Sequence, residues 1–174
     1  MMSILWRIRR WAQGLGHSRG FGIQSPWAYE LVTEVLCQPM PYYAYDDLQA
    51  EYPKASRRRQ RLCQLYLRLA NYRQEQPWTI VIATDGEREQ VEHYLQTGCQ
   101  KARVTLTTEW PQTLDDFPQC GMLVVEDIGR SRSRHKQWLK LLADPHVVVS
   151  FDLLDCGICF FDRAKNTRHY VINP

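Results

Sequence analysis

The sequence lacks any long apolar run. None of its hydrophobic stretches approaches the roughly 20 residues that a membrane-spanning helix requires, and its mean hydropathy is -0.46. Arg7, Arg9 and Arg10 interrupt the apolar residues near the N-terminus, which argues against a secretory signal. We therefore expect neither a transmembrane segment nor an export signal.

The sequence also has little net charge of either sign. Its 22 Lys and Arg and 19 Asp and Glu leave a formal charge of +3. Hydrophobic residues make up 44% and charged residues 24%, close to the averages of folded proteins, which excludes an intrinsically disordered chain. A length of 174 residues fits a single domain, residues 1–174, with a core of its own.

Patterns of catalytic histidine and of metal ligands are missing. The five histidines stand singly, outside any serine-histidine-aspartate motif. Cys156 and Cys159 form a C-x-x-C pair, but residues three apart in a strand face opposite sides, and no second pair completes four ligands. We expect no metal. The six cysteines lie mostly in apolar stretches, which indicates buried free thiols and a cytoplasmic location.

Positive charge is concentrated in the first part of the chain. Residues 1–73 contain 11 Lys and Arg against 5 Asp and Glu, whereas residues 74–174 contain 11 against 14. Apolar residues at helical spacing, with arginines between them, predict a basic amphipathic helix over residues 3–15, which contains Trp6 and Trp11. Its apolar face could pack on the rest of the domain, on a second copy or on an anionic membrane.

Capping signals predict further helices in this part. Ser25 is a plausible N-cap, with Pro26 at the first helical position and Pro39 beyond the end. A short helix is predicted near Asp46–Tyr52, and Ser56 is expected to cap a longer helix that reaches about residue 71.

Three consecutive arginines begin the longer helix. Arg57, Arg58 and Arg59 lie in its first turn, where cations oppose the helix dipole by a few tenths of a kcal/mol each. Something other than local helix stability therefore favours them, and a phosphate-bearing partner is one candidate.

From residue 76 the pattern changes to alternating strands and helices. Strands are predicted at Trp78–Ala83, Ala102–Thr107, Met122–Val125 and Val147–Leu153, and helices at Glu87–Gln96 and Arg132–Leu142. The end of the chain predicts an antiparallel hairpin of Gly157–Phe161 with His169–Ile172. The fold class is therefore α/β, a mostly parallel sheet with an antiparallel C-terminal hairpin, preceded by a helical part over residues 1–75.

Ligands of open α/β sheets bind beyond the carboxyl ends of the strands. The turn Thr84-Asp85-Gly86-Glu87 follows the first strand, and its S/T-x-x-E spacing predicts a capping box. Its acids would repel a phosphate. Glu109, Glu126 and Asp127 follow the next strands, where a carboxylate either holds ribose hydroxyls or is a solvated loop residue.

Several segments resemble a known family. The stretch Arg19–Trp27 reads R-G-F-G-I-Q-S-P-W and resembles an R-G-H-G-x-H-S-P-F element; Pro41–Tyr45, Leu67–Tyr72 and Val124–Trp138 match later segments of the same proteins, and Val147–Asn173 matches most closely. These proteins are class I S-adenosylmethionine-dependent methyltransferase-like proteins, chiefly of Bacteroidetes. The resemblance covers most of the chain, with gaps in the middle.

The resemblance implies a Rossmann-like sheet with a reversed last strand and a site for S-adenosylmethionine. Carried over onto this sequence, the cofactor residues are Ala83, Thr84, Asp85, Gly86, Glu109 and Asp127.

The departures from the family pattern fall where the cofactor would bind. Phe21 and Gln24 replace the two histidines of the opening element, Ile82 replaces the acid before the glycine-rich loop, and Thr84 replaces its first glycine. Loss of the acid and loss of the first glycine each cost about 1–3 kcal/mol of the binding free energy of the cofactor. The chain is also short between Thr107 and Met122, where only a brief crossover fits.

Two functions of different class follow. One is an active S-adenosylmethionine-dependent methyltransferase with an unknown acceptor. The other is a methyltransferase-derived binding or scaffold protein with weakened or lost cofactor binding. Its partner would be another protein or a second copy of the chain. RNA is possible but not favoured, because a pI near 8.5 is mild for nucleic-acid binding.

The binding hypothesis rests on aromatic and arginine side chains, which are enriched in interface hot spots. The candidates in the basic helices and the aromatic loop are Trp6, Trp11, Tyr42, Tyr43, Tyr45, Arg57, Arg58 and Arg59.

Overall fold

The computed structural model describes residues 20–173, so the predicted helix over residues 3–15, with Trp6 and Trp11, lies outside the described residues. Residues 20–75 are mainly helical, and residues 76–173 carry the strands, as the sequence predicts. Within 20–173, no helix combines the length and the apolar character that crossing a bilayer requires.

Helix α1 spans Pro26–Leu31 and continues as a π-helical turn over Val32–Leu36. The predicted cap is confirmed, because the Oγ of Ser25 accepts the amide hydrogen of Ala28 at 3.4 Å. The π-turn frees backbone carbonyls at its end, and Arg68 donates to the carbonyl of Val35 at 2.6 Å. The opening helix is thereby tied to the longest helix.

Helices α2, Ala44–Glu51, and α3, Arg57–Arg73, follow. The Oγ of Ser56 accepts the amide hydrogen of Arg59 at 3.2 Å, which confirms Ser56 as the cap of α3. The 17 residues of α3 bury one side against the sheet, with Leu62, Leu65, Tyr66 and Leu69. Apolar spacing therefore predicts the buried face of α3 correctly.

The second part contains six strands and two helices. In chain order these are β1 Trp78–Val81, α4 Arg88–Gly98, β2 Val104–Thr107, β3 Met122–Glu126, α5 Arg132–Leu142, β4 Val149–Asp152, β5 Cys156–Phe160 and β6 Arg168–Val171. Each predicted strand and helix of this part is confirmed, with ends that shift by a few residues.

The strands form one sheet in the order β2-β1-β3-β5-β4-β6. Strand β1 is parallel to β2 and to β3, and β4 is parallel to β6. Strand β5 alone runs the other way, paired antiparallel with β3 on one side and β4 on the other. The fold is therefore α/β, and its sheet is mostly parallel, with one reversed strand.

The predicted hairpin of the last two strands is wrong in its pairing. The hairpin forms between β4 and β5, joined by a tight turn in which Leu154 has φ 69°. Strand β6 pairs in parallel with the other side of β4, with Phe151 opposite Tyr170. The alternation of the sequence identifies the strands, but it does not determine which neighbour each one takes.

Two apolar clusters cover the two faces of the sheet. Helices α1 to α4 pack on one face, over Ile80, Val124 and Phe151. Helix α5 packs on the other face with Trp138, which is fully buried. Gly157 in β5 lies under the Trp138 ring, and any side chain at that position would overlap the indole. The helical part and the sheet therefore share a core.

The crossover from β2 to β3 is short, as the sequence predicts. Residues 108–121 cross without a helix and bury Leu114 against the α5 face. The loop places no further strand or helix beside the carboxyl ends of β1 and β2.

Candidate functional site

The parallel pairing of β1 with β3 brings their carboxyl ends to one edge of the sheet. Val81 lies opposite Val125, so Ala83 and Glu126 become neighbours just beyond the paired region. This edge, with the start of α3 above it, is the place that the sequence predicts for ligand binding. We call it the carboxyl-edge cluster, defined by Arg58, Arg59, Tyr66, Glu126 and Asp127.

Glu126 is the buried centre of this cluster. It is 1% exposed, and its Oε1 accepts hydrogen bonds from Arg59 Nη1 and from the Tyr66 hydroxyl, both at 2.6 Å. Its Oε2 accepts the Ala83 amide hydrogen at 2.9 Å. Burial raises the pKa of Glu126, against the opposing influence of Arg59, Tyr66 and the Ala83 amide, which favour the carboxylate.

Tyr66 holds its proton in this setting. Burial raises its pKa well above the ordinary value, and the neighbouring Glu126 carboxylate raises it further. The hydroxyl is therefore a donor to Glu126 and does not serve as a base.

Arg59 reaches Glu126 from the first turn of α3. Its side chain is 6% exposed, and its Nη2 lies 3.1 Å from Oε2 of Glu87. One guanidinium thus faces two carboxylates, from the end of β3 and from the turn before α4. The arginine that the helix dipole disfavours is explained by these acids, which are distant in sequence.

Asp127 is the second acid of the cluster. Its backbone is left-handed, with φ 61°, a conformation that Asp tolerates better than most residues. Its amide donates to the Asp155 carbonyl at 2.8 Å, and its side chain is paired with Arg58 and, at 3.1 Å, with Arg130. Burial opposes ionisation of Asp127, but these two arginines outweigh it and hold its pKa below the ordinary value.

Arg58 connects the cluster to the turn between β4 and β5. Its Nε lies 3.0 Å from Oδ1 of Asp155, in addition to the ion pair with Asp127. Its side chain is 40% exposed, so it forms the outer wall of the cluster.

The predicted turn after β1 is arranged differently from the expectation. Thr84, Asp85 and Gly86 are exposed, and Asp85 pairs with Arg88 at 2.7 Å. The predicted capping box is wrong: Thr84 makes no side-chain capping bond, and Glu87 turns toward Arg59. A buried arginine is a stronger partner for the Glu87 carboxylate than a backbone amide exposed to water.

Glu109 is not brought to the cluster. It is exposed, and its amide donates to Oγ1 of Thr107 at 3.0 Å in the turn after β2. Of the six predicted cofactor residues, the cavity beside the cluster is lined by Ala83, Thr84 and Asp127.

That cavity holds about 120 Å³. Pockets for small molecules of drug or cofactor size usually span about 300–1,000 Å³. The side chains of Arg59 and Glu126 line the space beyond β1 and β3, together with Ser56 and Leu62. The cavity is too small for an adenosyl group with its amino-acid tail, so these residues do not fit S-adenosylmethionine.

The predicted partner residues differ in their exposure to solvent. Arg57 is exposed and Tyr43 is fully exposed, at 103%. Tyr42 is half-buried and packs on Tyr45, with ring centroids 5.5 Å apart. Tyr45 is buried, and its hydroxyl accepts from Arg68 at 3.0 Å. Tyr45 thus contributes to the core.

The C-x-x-C pair behaves as two separate thiols. Cys156 belongs to the core on the α3 side of the sheet and Cys159 to the core on the α5 side, as strand geometry predicts. Burial raises the pKa of both thiols well above the ordinary value. Within the described part of the chain, no group of three or more His, Cys, Asp or Glu is placed to hold a metal ion.

The sequence did contain a signal for the cluster. Arg58 and Arg59 at a helix N-terminus, and Glu126 and Asp127 at the end of a buried strand, are both locally unfavourable arrangements. Matching the unfavourable arginines with the unfavourable acids predicts that the two pairs contact each other. The role of Tyr66 had no such signal, because its helical spacing indicates only a core residue.

Comparisons with known proteins do not add a relative. No family model matches the chain, and neither a curated protein nor a solved structure is significantly similar to it. The family resemblance therefore rests on the residues quoted above.

Proposed function

We propose that this chain is a methyltransferase-like α/β protein that has lost S-adenosylmethionine binding and acts by binding a partner. The observation that carries the proposal is the contact of Arg59 with Glu126. An arginine from α3 fills the edge of the sheet at which a ligand of this fold class would bind.

The acids of this edge are already committed to the protein. Both carboxylate oxygens of Glu126 accept hydrogen bonds from protein donors. Both oxygens of Asp127 are paired, with Arg58 and with Arg130. The arginines that pair with these acids lie between them and any ribose, and a buried carboxylate that loses a donor costs about 1–3 kcal/mol or more.

The partner surface is supported by exposed apolar side chains in the helical part. Among residues 20–173, five large apolar side chains are exposed, and four of them lie between residues 21 and 43: Phe21, Tyr29, Met40 and Tyr43. Exposed aromatic and methionine side chains are typical of protein interfaces. Arg58 and Arg59 are engaged inside the molecule, so Tyr43 and Arg57 are the stronger of the predicted partner residues.

Calorimetric titration with S-adenosylmethionine and S-adenosylhomocysteine tests the loss of cofactor binding. We expect no heat of binding up to about 1 mM of either compound. Binding in the micromolar range would contradict the proposal and favour an active methyltransferase, and the search would turn to its acceptor.

Sedimentation analysis tests the partner surface, with a second copy as the first candidate. The variant Met40→Ser with Tyr43→Ser is compared with Leu139→Ser, which removes the exposed apolar side chain outside the helical part. We expect self-association that the first variant weakens and the second leaves unchanged. A monomer at about 100 µM would exclude a second copy and leave a different protein as partner.

A further inference from the structure

A larger cleft lies at the opposite edge of the sheet. It holds about 390 Å³ and is formed by the start of α1, the first residue of β4, the turn before β6 and β6 itself. Because β4 and β6 run parallel to β1, this is the amino-terminal edge. The residues that matter here are Ser25, Trp27, Val149, Lys165, Arg168 and Tyr170, and we call this space the amino-edge cleft.

One wall of the cleft is formed by aromatic rings that pack on aromatic residues of the core. The Trp27 ring meets Phe160 edge-on, with centroids 4.9 Å apart at 89°. The Tyr170 ring is stacked on Phe151 at 5.2 Å and 17°. Both rings are thus fixed by the core, so the wall exists before any ligand arrives.

The charge of the cleft is of one sign. Its charged lining residues are Lys165 and Arg168, and no acidic side chain lines it within the described residues. The ammonium of Lys165 lies 4.3 Å from the centroid of the Trp27 ring and 3.1 Å from Oδ2 of Asp162, just outside the lining. The cation is therefore positioned over the aromatic wall.

Arg168 is the less engaged of the two cations. Its amide donates to the Val148 carbonyl at 2.9 Å, which fixes its backbone at the start of β6. Its side chain is exposed and forms no ion pair with any residue between 20 and 173. A planar guanidinium in this state suits bidentate contact with a phosphate or a carboxylate.

We propose that the amino-edge cleft binds a small organic anion with an aromatic body, its phosphate or carboxylate head placed between Lys165 and Arg168. The volume falls within the usual range for small-molecule pockets. A fixed aromatic wall with two cations in the same lining is the combination that such a ligand requires. The site is independent of the proposed function, since it lies at the other edge of the sheet.

Four small probes separate the contributions of the ring and of the charge. Phenyl phosphate and phenylacetate carry a ring with either anionic head, benzyl alcohol carries the ring alone, and inorganic phosphate carries the head alone. Binding to the full chain is followed by amide and indole shifts in proton–nitrogen NMR spectra, with the Trp27 signal assigned through Trp27→Phe. At about 0.3 kcal/mol per non-hydrogen atom, ligands of this size have dissociation constants in the low millimolar range.

We expect at least one of the two aromatic anions to bind about tenfold more tightly than benzyl alcohol and inorganic phosphate. The better of the two identifies the head group. Shifts should concentrate at Trp27, Ala28 and the residues around Arg168. Equal binding of benzyl alcohol, or no shift at these residues up to about 10 mM of any probe, would overturn the proposal.

Substitutions locate the binding. Lys165→Gln with Arg168→Gln should weaken the aromatic anion about tenfold or more, because both cations of the cleft are removed. Arg163→Gln is the matched control, an exposed cation of the same turn that does not line the cleft. An equal loss in the control, or no loss in the double variant, would show that the anion binds elsewhere.

Discussion

The two edges of the sheet both place cationic side chains beside a cavity, yet they differ in what those cations contact. At the carboxyl edge, Arg58 and Arg59 face Glu126, Asp127 and two further acids, and about 120 Å³ of space remains. At the amino edge, Arg168 and Lys165 line about 390 Å³; no acid within residues 20–173 lines this space, and Asp162 pairs with Lys165 just outside it. The first edge has its charges balanced internally, whereas at the second edge Arg168 has no ion-pair partner among residues 20–173.

A basic run in the sequence and a basic surface on the folded protein are therefore separate properties. The run of arginines at residues 57–59 is the most basic triplet of the chain. Two of its three members are nevertheless used inside the molecule. Arg168 stands beside no other arginine or lysine in sequence and is the more available cation.

The largest expected effect comes from Arg59→Ala. The substitution leaves the Glu126 carboxylate buried without its guanidinium, and breaking a buried ion pair on one side costs about 3–5 kcal/mol of unfolding free energy. Urea denaturation measures the loss. Arg57→Ala is the matched control in the same helical turn, where an exposed side chain should change stability by less than about 0.5 kcal/mol.

A double variant shows whether the cost belongs to the unpaired charge. Arg59→Met with Glu126→Gln removes both charges, and the one amide oxygen of the glutamine keeps an acceptor for either the Tyr66 hydroxyl or the Ala83 amide, which bond different oxygens of Glu126. We expect it to be more stable than the single variant Arg59→Met by about 1–2 kcal/mol, because the two have the same side chain at position 59 and only the single variant keeps the buried charge of Glu126. Equal stability of the two variants would mean that lost packing, and not the charge of Glu126, causes the effect.

The second prediction concerns Asp127→Asn. Asparagine tolerates the left-handed backbone at this position, so the substitution mainly removes charge. Arg58 and Arg130 are 40% and 67% exposed, and solvent screening limits the expected loss to about 1 kcal/mol at neutral pH. A loss of several kcal/mol would show that the cluster is sealed from water.

This variant also has a defined pH dependence. The folded pKa of Asp127 is lower than its unfolded value of about 3.9, so its contribution is present above about pH 4 and is lost as the pH falls through the folded pKa. The raised pKa of Glu126 acts in the opposite direction and is present in both proteins. The stability difference between wild type and Asp127→Asn should therefore shrink toward zero below pH 4. A difference that persists there would contradict the ion-pair account.

The sequence predicts the local elements well and the long-range contacts poorly. Ser25 and Ser56 mark helix starts, and the helix Arg132–Leu142 is found at its predicted ends, because capping and periodicity depend on neighbours in the chain. Strand pairing depends on the whole sheet, so the local pattern predicts the wrong pair of strands for the hairpin.

The candidate site shows the same division. Ala83 and Asp127 do line the cavity, because strand ends predict the edge of the sheet at which they lie. Arg58 and Arg59 meet acids more than 60 residues away in sequence, a contact that no local spacing reveals. For the same reason Glu87 was predicted to cap a helix and instead pairs with Arg59.

The third prediction distinguishes two roles for the turn after β1: capping of the next helix by Thr84, and pairing of Glu87 with Arg59. Glu87→Gln removes a half-buried partner of Arg59 and should cost about 0.5–1 kcal/mol. Thr84→Ala should cost less than about 0.5 kcal/mol, because Thr84 makes no capping bond, whereas loss of a true cap costs about 1 kcal/mol. Thermal unfolding of the two single variants is sufficient. A larger loss of unfolding free energy for Thr84→Ala would instead support the predicted capping box.

The smallest effect is expected at the amino edge, with Arg168→Gln. Its side chain is exposed and has no ion-pair partner among residues 20–173, so removing the charge should change the unfolding free energy by less than about 0.5 kcal/mol. Urea denaturation of this variant beside Arg59→Ala gives the contrast between the two edges directly. An unchanged stability would mean that the fold of residues 20–173 does not depend on Arg168, which lines the amino-edge cleft. A loss comparable to that of Arg59→Ala would instead make Arg168 a structural residue and remove the distinction between the two edges.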